Sequence, residues 1–345
     1  MVVKSLEING FRNLRRFSIR FAAQKNLIHG ANGSGKTSII EALFLLGFGR
    51  SFLSANRREL INFNASGFFL SAEVLNISGE NVISALQEKG FCLKLNGEKV
   101  PLPEVGRHLF PLFFSSFSYN HHIDHVPYFR KMVDRFIYGL FPLYLNDLLR
   151  YNTILKQKNT LLKNLGNKIN HTQISSWDSL LAETGCRIVG QRADFIRRLN
   201  ESLDALFNGE ARINYFPALL TPLPTTRDSL LRDLERMRTA EGKSRRCLIG
   251  PQRDRFEVLV FGRRLPLFST GEKKKYLLLV YMAFIELFRL ARDEYPVFLI
   301  DDYDAAMDEE NVQYLLDHFP DVQVIATSVA RNERFGRLFE LKKES

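Results

Sequence analysis

Apolar and polar residues alternate across residues 2–21 (VVKSLEINGFRNLRRFSIRF) in two short runs around Gly10-Phe11-Arg12-Asn13. This pattern predicts a hairpin or two adjacent strands. Leu27-Ile28-His29 reads as a short buried strand, and Ser38 to Leu46 (SIIEALFLL) as a mostly apolar run of helical length. Residues 68–76 and 90–100 are further strand segments, the second carrying Asn96-Gly97 as a tight turn.

From about residue 140 the period lengthens. Leu148, Leu155, Leu162 and Ile169 recur at heptad spacing, with Leu145, Tyr151 and Leu165 nearby. Trp177, Leu181, Thr184, Ile188, Phe195, Leu199, Leu203 and Leu206 form a second helical stripe, and the polar stretch 166–175 between them predicts a turn. Together they predict an antiparallel helical pair with a seam like a short coiled coil, packed as an arm or lobe. Pro217 to Pro224 marks a linker, and Thr226 to Arg238 a further helix with Asp228 and Asp233 towards its N-terminal part. Strand pattern returns at Phe256 to Phe261, a buried helix at Lys273 to Leu290, and apolar strands at Val297 to Ile300 and Val322 to Ala326. There is no internal repeat and no low-complexity tract.

A chain of 345 residues has room for a large core and two domains. Its 45% hydrophobic and 25% charged content is ordinary for a soluble globular protein. The longest uncharged apolar run, Leu277 to Ile285, is a buried helix rather than a membrane span, so no membrane partner is expected. Lys4 and Glu7 interrupt any secretory leader, which makes the cytoplasm the expected location. Cys92, Cys186 and Cys247 lie far apart and point to neither zinc nor a disulfide framework. The net charge of +10 is uneven. Residues 1–119 carry 14 basic and 8 acidic side chains, residues 120–250 carry 20 and 13, and residues 251–345 carry 14 and 17. A basic middle segment favours a polyanionic partner over a merely solvated helical surface, though by charge alone only slightly.

Gly30-Ala31-Asn32-Gly33-Ser34-Gly35-Lys36-Thr37 reads G-x-x-x-x-G-K-T, between the predicted strand and the helix that opens at Ser38. In such a phosphate-binding loop the glycines let successive N–H groups face phosphate oxygens. Lys36 reaches the β- and γ-phosphates, and Thr37 ligates Mg²⁺. The helix adds the positive end of its dipole. Val297 to Ile300 then supplies the strand-end carboxylates of such a site: Asp301 to hold the Mg²⁺ shell and Asp302 to polarise an attacking water. Phe268-Ser269-Thr270-Gly271-Glu272 opens the helix between these motifs, and Ser269 and Gly271 at a helix N-terminus form a second phosphate site. Ser269-Thr270-Gly271-Glu272 alone reads as a plain helix cap; its place upstream of the carboxylate strand points to a head-to-head dimer in which this segment caps ATP held by the other subunit.

A metabolic P-loop kinase or a GTPase is the alternative reading, and an ABC transport ATPase another. No N-K-x-D guanine motif is present, and no histidine follows Thr327 as a transporter switch. His121, His122 and His125 read as a solvated loop rather than a metal site. Lys273-Lys274-Lys275, Arg57-Arg58, Arg245-Arg246 and Arg263-Arg264 are candidate phosphate contacts.

With these residues in place the chain resembles the RecF family of SMC/ABC-type ATPases. The resemblance runs through Asn9-Gly10-Phe11-Arg12-Asn13-Leu14, the P-loop, Tyr144 to Lys163, Trp177-Asp178, Gly250-Pro251-Gln252-Arg253-Asp254, Ser269 to Glu272, Asp301-Asp302 and Met307-Asp308. It implies ATP-dependent homodimerisation on DNA (duplex, or a single-strand/duplex junction) and slow ATP hydrolysis. It also implies action with RecR and RecO in loading RecA at gaps. By position, Arg12 and Asn13 resemble the family's nucleotide-contacting pair, and Asp308 the aspartate that meets the opposing subunit. Glu272 stands where Gln is usual, Gln252 where His is usual, and Ala305-Ala306 lacks the usual acidic residue. The expected architecture is α/β: a P-loop ABC/SMC-type ATPase head from residues 1–119 and 245–345, with an inserted helical arm at 120–244.

Overall fold

The computed structural model describes residues 1–115, 126–165, 171–306 and 309–342. It divides into two compact units, Met1–His122 with Phe268–Ser345, and Ile123–Leu267.

In the first unit, β1 (Val2–Phe11) and β2 (Leu14–Arg20) form the expected hairpin, turning at Arg12-Asn13. They are joined by β4 (Phe68–Asn76), β5 (Gly79–Gln87), β6 (Phe91–Leu95) and β7 (Glu98–Lys99) in an antiparallel sheet of order β2-β1-β4-β5-β6-β7. Period-two alternation puts Leu6, Ile8, Leu70, Ala72, Ile83 and Ala85 into the core. Asn96 and Gly97, both at positive φ, make the turn between β6 and β7.

The second sheet is parallel and central to the site. Its order is β14 (Arg337–Glu340), β3 (Lys25–His29), β13 (Val324–Ser328), β12 (Val297–Asp301) and β8 (Pro111–Ser115). β12 and β13 are buried throughout, as continuous apolar strands covered on both faces must be. Helix α1 (Lys36–Phe48) contacts strands of both sheets, which accounts for its apolar residues all round rather than along one stripe. It ends at Gly49, in the left-handed region, whose N–H donates to Leu45 O. The buried helix expected at 273–290 is Thr270–Arg292. Its Phe284 and Phe288 rings lie 5.7 and 5.5 Å from Phe110, and the Tyr281 hydroxyl donates to Phe113 O at 3.0 Å. The nine-residue β5 and the short β8 and β14 are not apparent from the sequence pattern.

The first unit also holds the short helix α2 (Leu102–His108). In the second unit, α3 (Val126–Leu140), α4 (Tyr144–Leu165), α5 (His171–Phe207) and α6 (Arg227–Ser244) accompany a small antiparallel sheet. That sheet has the order β11 (Arg263–Arg264), β10 (Arg255–Val260), β9 (Ala211–Phe216). Because β10 pairs with β9 from Arg255↔Phe216 to Val260↔Ala211, residues 245–267 join this unit rather than the head. The insert is therefore helical with a β element, and its second boundary falls later than residue 244. Helix α7 is the Thr270–Arg292 helix of the first unit.

The seam of α4 also differs from the heptad reading. Its buried line is Tyr144, Tyr151, Ile154, Lys158 and Leu162, while Leu148 and Leu155 are half-buried. A lysine can occupy that line because Lys158 Nζ lies 2.7 Å from Asp178 and 2.6 Å from Glu241. A second buried cluster centres on Arg192. Its guanidinium donates to both Asp134 oxygens at 3.0 Å, to Asp254 Oδ2 at 2.7 Å and to Pro251 O at 2.7 Å. Asp233, fully buried, accepts from the N–H groups of Leu220 and Thr221, which pins the proline-marked linker to α6. The residues 166–170 of the predicted inter-helix turn lie outside the described residues, as do His121, His122 and His125.

Candidate nucleotide site

The site lies at the carboxyl ends of the parallel strands, where open α/β sheets place their ligands. β3 ends at His29, the glycine loop follows, and α1 begins at Lys36. Gly35 is a positional necessity. Its φ is +105, and a Cβ there would stand 2.8 Å from Leu14 Cδ2 and 3.1 Å from Asn13 Nδ2.

Those neighbours belong to the β1–β2 turn, which braces the loop. Asn13 Nδ2 donates to Gly33 O at 3.2 Å, and Asn13 Oδ1 accepts from Ser38 Oγ at 2.8 Å. Arg12, at φ +53, donates to Glu41 from Nε at 2.8 Å and from Nη2 at 2.6 Å, and to Glu59 O from Nη1 at 3.1 Å. Glu41 is only 1% exposed. The structure thus engages the side chains of Arg12, Asn13 and Ser38 in holding the hairpin turn against α1. Glu41 went unnoticed in the sequence. An acidic residue inside the apolar run SIIEALFLL was the available signal, since a buried carboxylate requires a partner.

Within the loop, Lys36 Nζ donates to Gly30 O at 2.8 Å and Ala31 O at 3.0 Å. The Ser34 hydroxyl is buried with no hydrogen-bond partner among the described residues. A buried donor without a partner beside a lysine suits an anion with several acceptor oxygens. Thr37 Oγ1 donates to Asp301 Oδ1 at 3.1 Å, leaving its lone pairs for a cation. A threonine hydroxyl and a carboxylate are the hard oxygen donors that Mg²⁺ takes alongside water. The loop fits a nucleotide phosphate, and the Thr37–Asp301 pair fits Mg²⁺.

Asp301 and Asp302 stand at the end of β12 as the motif requires. Burial pushes the Asp301 carboxyl up to about 6, against the hydroxyls of Thr327 and Thr37 and the Lys36 charge, which pull it down. Burial also raises Asp302, reinforced by the charge of Asp304. Asp302 has φ +49, an uncommon conformation for a residue with a side chain. Thr327 joins the two aspartates: its hydroxyl donates to Asp301 Oδ1 at 2.8 Å and accepts from the Asp302 N–H at 2.8 Å. The apolar strand pattern in the sequence stops at Ala326, whereas β13 continues through Thr327 to Ser328.

Ser269 caps α7, with its hydroxyl accepting from the Glu272 N–H, while Glu272 Oε2 accepts from the Ser269 N–H at 2.9 Å and from its hydroxyl at 2.6 Å. Glu272 is thereby half of a capping box, and these bonds lower its pKa. Ser269, Gly271 and Glu272 are exposed, and a Cβ on Gly271 would meet nothing within 4 Å. Asp308 lies outside the described residues.

The basic groups fall into two classes. Arg57 donates to Gly49 O and stacks on Phe91, Arg264 pairs with Glu257, and Lys274 donates to Ala305 O. On α6, by contrast, Arg232, Arg236, Lys243 and the following Arg246 are exposed and have no ion-pair partner among the described residues. Arg232, Arg236 and Lys243 follow one line of the helix, and Arg246 lies just past its C-cap. No helix among the described residues is long and apolar enough to cross a membrane.

A P-loop opening α1 beside a central parallel sheet, carboxylates closing the neighbouring strand and a capped signature-like helix define an SMC/ABC-type ATPase head. The RecF/RecN/SMC N terminal domain family matches residues 2–335. The chain belongs to the RecF family. It is 30% identical over 364 residues to the DNA replication and repair protein RecF of Acetivibrio thermocellus, covering 100% of this chain and 99% of that one. To RecF of Carboxydothermus hydrogenoformans it is 31% identical, covering 91% of this chain and 90% of the other. A solved structure of the recombination mediator protein RecF-ATPrS in the RecFOR pathway superposes with a TM-score of 0.90 at 25% identity, covering 99% of this chain and 96% of that chain. An Smc head domain bound to the C-winged helix domain of ScpA shares the fold, with a TM-score of 0.53 at 18% identity.

Proposed function

We propose that this protein binds ATP with Mg²⁺ between two copies of itself and that the ATP-bound dimer holds DNA in replication and recombinational repair. The observation that carries the reading is the Ser34–Lys36–Thr37–Asp301 cluster, an anion cradle and a cation-ready pair within one short stretch. Its relatives are named for replication and repair, and one solved neighbour is a RecF-ATP structure. RecR and RecO are the expected partners and RecA loading the expected outcome, by the RecFOR pathway named for that neighbour.

Mg²⁺ would be held by Thr37 and Asp301 and would neutralise charge on the phosphates. On the protein side, Lys36 exchanges its carbonyl partners for phosphate oxygens, and Ser34 gains the acceptor it lacks. Thr37 keeps its donation to Asp301 while its lone pairs face the metal. Asp302, with its raised pKa, accepts the proton of a water aimed at the γ-phosphate. Slow turnover is what the family resemblance implies, so ATP serves as a clamp first and a fuel second. Ser269 and Gly271 of the other copy close the site with their exposed helix N-terminus, and Asp308 meets the opposing subunit. The unpaired cations along α6 add sequence-independent contacts to the phosphate backbone.

The test is DNA binding measured with and without ATP and Mg²⁺, on gapped, single-stranded and duplex substrates. ATP-dependent retention of duplex or gapped DNA supports the reading. ATP turnover stimulated only by a small acceptor, with no DNA binding, supports a P-loop kinase instead.

A further inference from the structure

We infer that Thr327 is a positioning residue for the ATP site, setting both Asp301 and Asp302 through a single buried hydroxyl. The inference rests on the ATP-site reading above and deepens it. Thr327 is fully buried on β13, which lies between β3, the strand that feeds the P-loop, and β12, the strand that carries the aspartates. Its register places it one step beyond the Ala326↔Ile300 pair, level with the point where β12 ends.

Two bonds leave this hydroxyl in different directions. As a donor it meets Asp301 Oδ1 at 2.8 Å, the same oxygen that Thr37 approaches at 3.1 Å. With both hydroxyl protons converging on Oδ1, the orientation of the Asp301 carboxylate is fixed, and so is the direction of its other oxygen. As an acceptor it takes the Asp302 N–H at 2.8 Å. That N–H belongs to a residue at φ +49, where the chain leaves the strand and the carbonyl of Asp302 accepts from the N–H groups of Ala305 and Ala306 at 3.0 and 2.9 Å. The left-handed turn is what swings the Asp302 side chain away from the strand direction. An aspartate tolerates this conformation at some cost and keeps it only when its surroundings over-determine it. Thr327 supplies one of those determinants from a neighbouring strand.

A hydroxyl buried only to satisfy itself needs one bond, commonly to a nearby backbone carbonyl. This one instead links the carboxylate expected to hold the metal shell to the backbone of the carboxylate expected to orient water. Thr327 touches neither nucleotide nor water in this account. It acts through the two aspartates, and the next residue on the strand, Ser328, donates its hydroxyl to Asp304 Oδ2 at 3.0 Å.

The experiment compares the parent with Thr327→Val, which keeps shape and removes the hydroxyl, and Thr327→Ser, which keeps the hydroxyl and loses the methyl. Affinity for a fluorescent ATP analogue is measured in EDTA and in Mg²⁺, together with ATP turnover. Removing a hydrogen bond to a charged group at such a site costs about tenfold or more. Thr327→Val is expected to bind the analogue in EDTA as the parent does, to lose about tenfold of the Mg²⁺-dependent gain in affinity, and to turn ATP over about 10–100-fold more slowly. Thr327→Ser restores both to within about threefold. Thr327→Val with parental Mg²⁺ dependence and turnover overturns the inference, as does a Thr327→Ser protein as impaired as Thr327→Val, because shape rather than the hydroxyl would then be responsible. If Thr327→Val does not fold, the Ser variant decides: a soluble Thr327→Ser protein with impaired Mg²⁺ dependence is contradictory, and a parental one is supportive. A parent that shows no Mg²⁺-dependent ATP binding removes the ATP-site reading itself, which separates that failure from this one.

Discussion

Arg12 and Glu41 form a two-pronged ion pair, Nε to Oε2 at 2.8 Å and Nη2 to Oε1 at 2.6 Å, between the β1–β2 turn and the helix behind the P-loop. The turn residue next to Arg12 is Asn13, which touches both the loop and Ser38. Removing Arg12 leaves the carboxylate of Glu41 buried without its cation, whereas removing Glu41 leaves Arg12 partly in solvent. Arg12→Gln should lower unfolding free energy by on the order of 2–3 kcal/mol, because Glu41 stays buried. The double substitution Arg12→Gln with Glu41→Gln should recover part of that loss. If Arg12 supports ATP through this pair, the two single variants weaken ATP binding equally and the double no further. Additive losses in affinity would assign Arg12 a direct phosphate contact. Urea unfolding and nucleotide titration on the four proteins read both quantities.

Ser34 gives a prediction with opposite signs in two states. Its hydroxyl is buried without a partner among the described residues. Ser34→Ala should therefore leave the nucleotide-free protein unchanged or stabilise it by about 1 kcal/mol. The same change should weaken ATP binding several-fold, since the hydroxyl finds its acceptor only on phosphate. Thermal unfolding with and without Mg²⁺-ATP tests this: the ligand-induced rise in Tm should shrink while the unliganded Tm holds or climbs.

Proton linkage follows from Asp301, held at about 6 by burial against an ordinary value of 3.8. A raised carboxyl pKa means the folded, unliganded protein binds this proton more tightly than the unfolded chain. Its contribution to stability is present below about pH 4 and is lost as pH rises through 6. Mg²⁺ reverses the sign, because it requires the carboxylate. Mg²⁺-ATP affinity should rise with pH through 6 and level off above 7, being about tenfold weaker at pH 5 than at pH 7. Calorimetry in two buffers of different ionisation enthalpy should detect proton release on binding near pH 6 and little at pH 8. Asp302, also raised, acts in the same direction.

In the second unit the fold depends on a cluster of charges around the buried Arg192. Arg192 is 2% exposed and satisfies Asp134 and Asp254 at once, while Tyr215 and Tyr144 donate to the same two carboxylates. Arg192→Leu leaves the buried Asp254 and the half-buried Asp134 short of a cation and should destabilise this unit by about 3 kcal/mol. Arg192→Lys should restore little, since an ammonium cannot reproduce the forked geometry. Denaturant unfolding followed by the fluorescence of Trp177, which lies in this unit, reads the effect.

What the sequence made legible was whatever is local. The P-loop, the β1–β2 hairpin, the Ser269 cap and the carboxylate strand each depend on residues within a few positions of one another. Thr226 was placed at the start of its helix, and the structure gives it an N-cap and capping box there. The hidden parts are those that sequence separation conceals. Lys158 broke the heptad reading because its partners, Asp178 and Glu241, are 20 and 83 positions away. Thr327 and Glu41 lacked any motif of their own, since each acts on residues from another strand or turn. The extent of the insert was misjudged for the same reason: the pairing of β10 with β9 joins segments across the linker and α6.

The most direct test of the central claim is sedimentation with a non-hydrolysable ATP analogue and Mg²⁺, using Lys36→Ala and Ser269→Arg proteins. The parent should be monomeric without nucleotide and dimeric with it, and each variant alone should stay monomeric. An equimolar mixture of the two should form heterodimers, because one composite site then combines an intact P-loop from one copy with an intact Ser269–Gly271 segment from the other. A mixture that remains monomeric while the parent dimerises, or a Ser269→Arg protein that dimerises like the parent, contradicts a site shared between two copies.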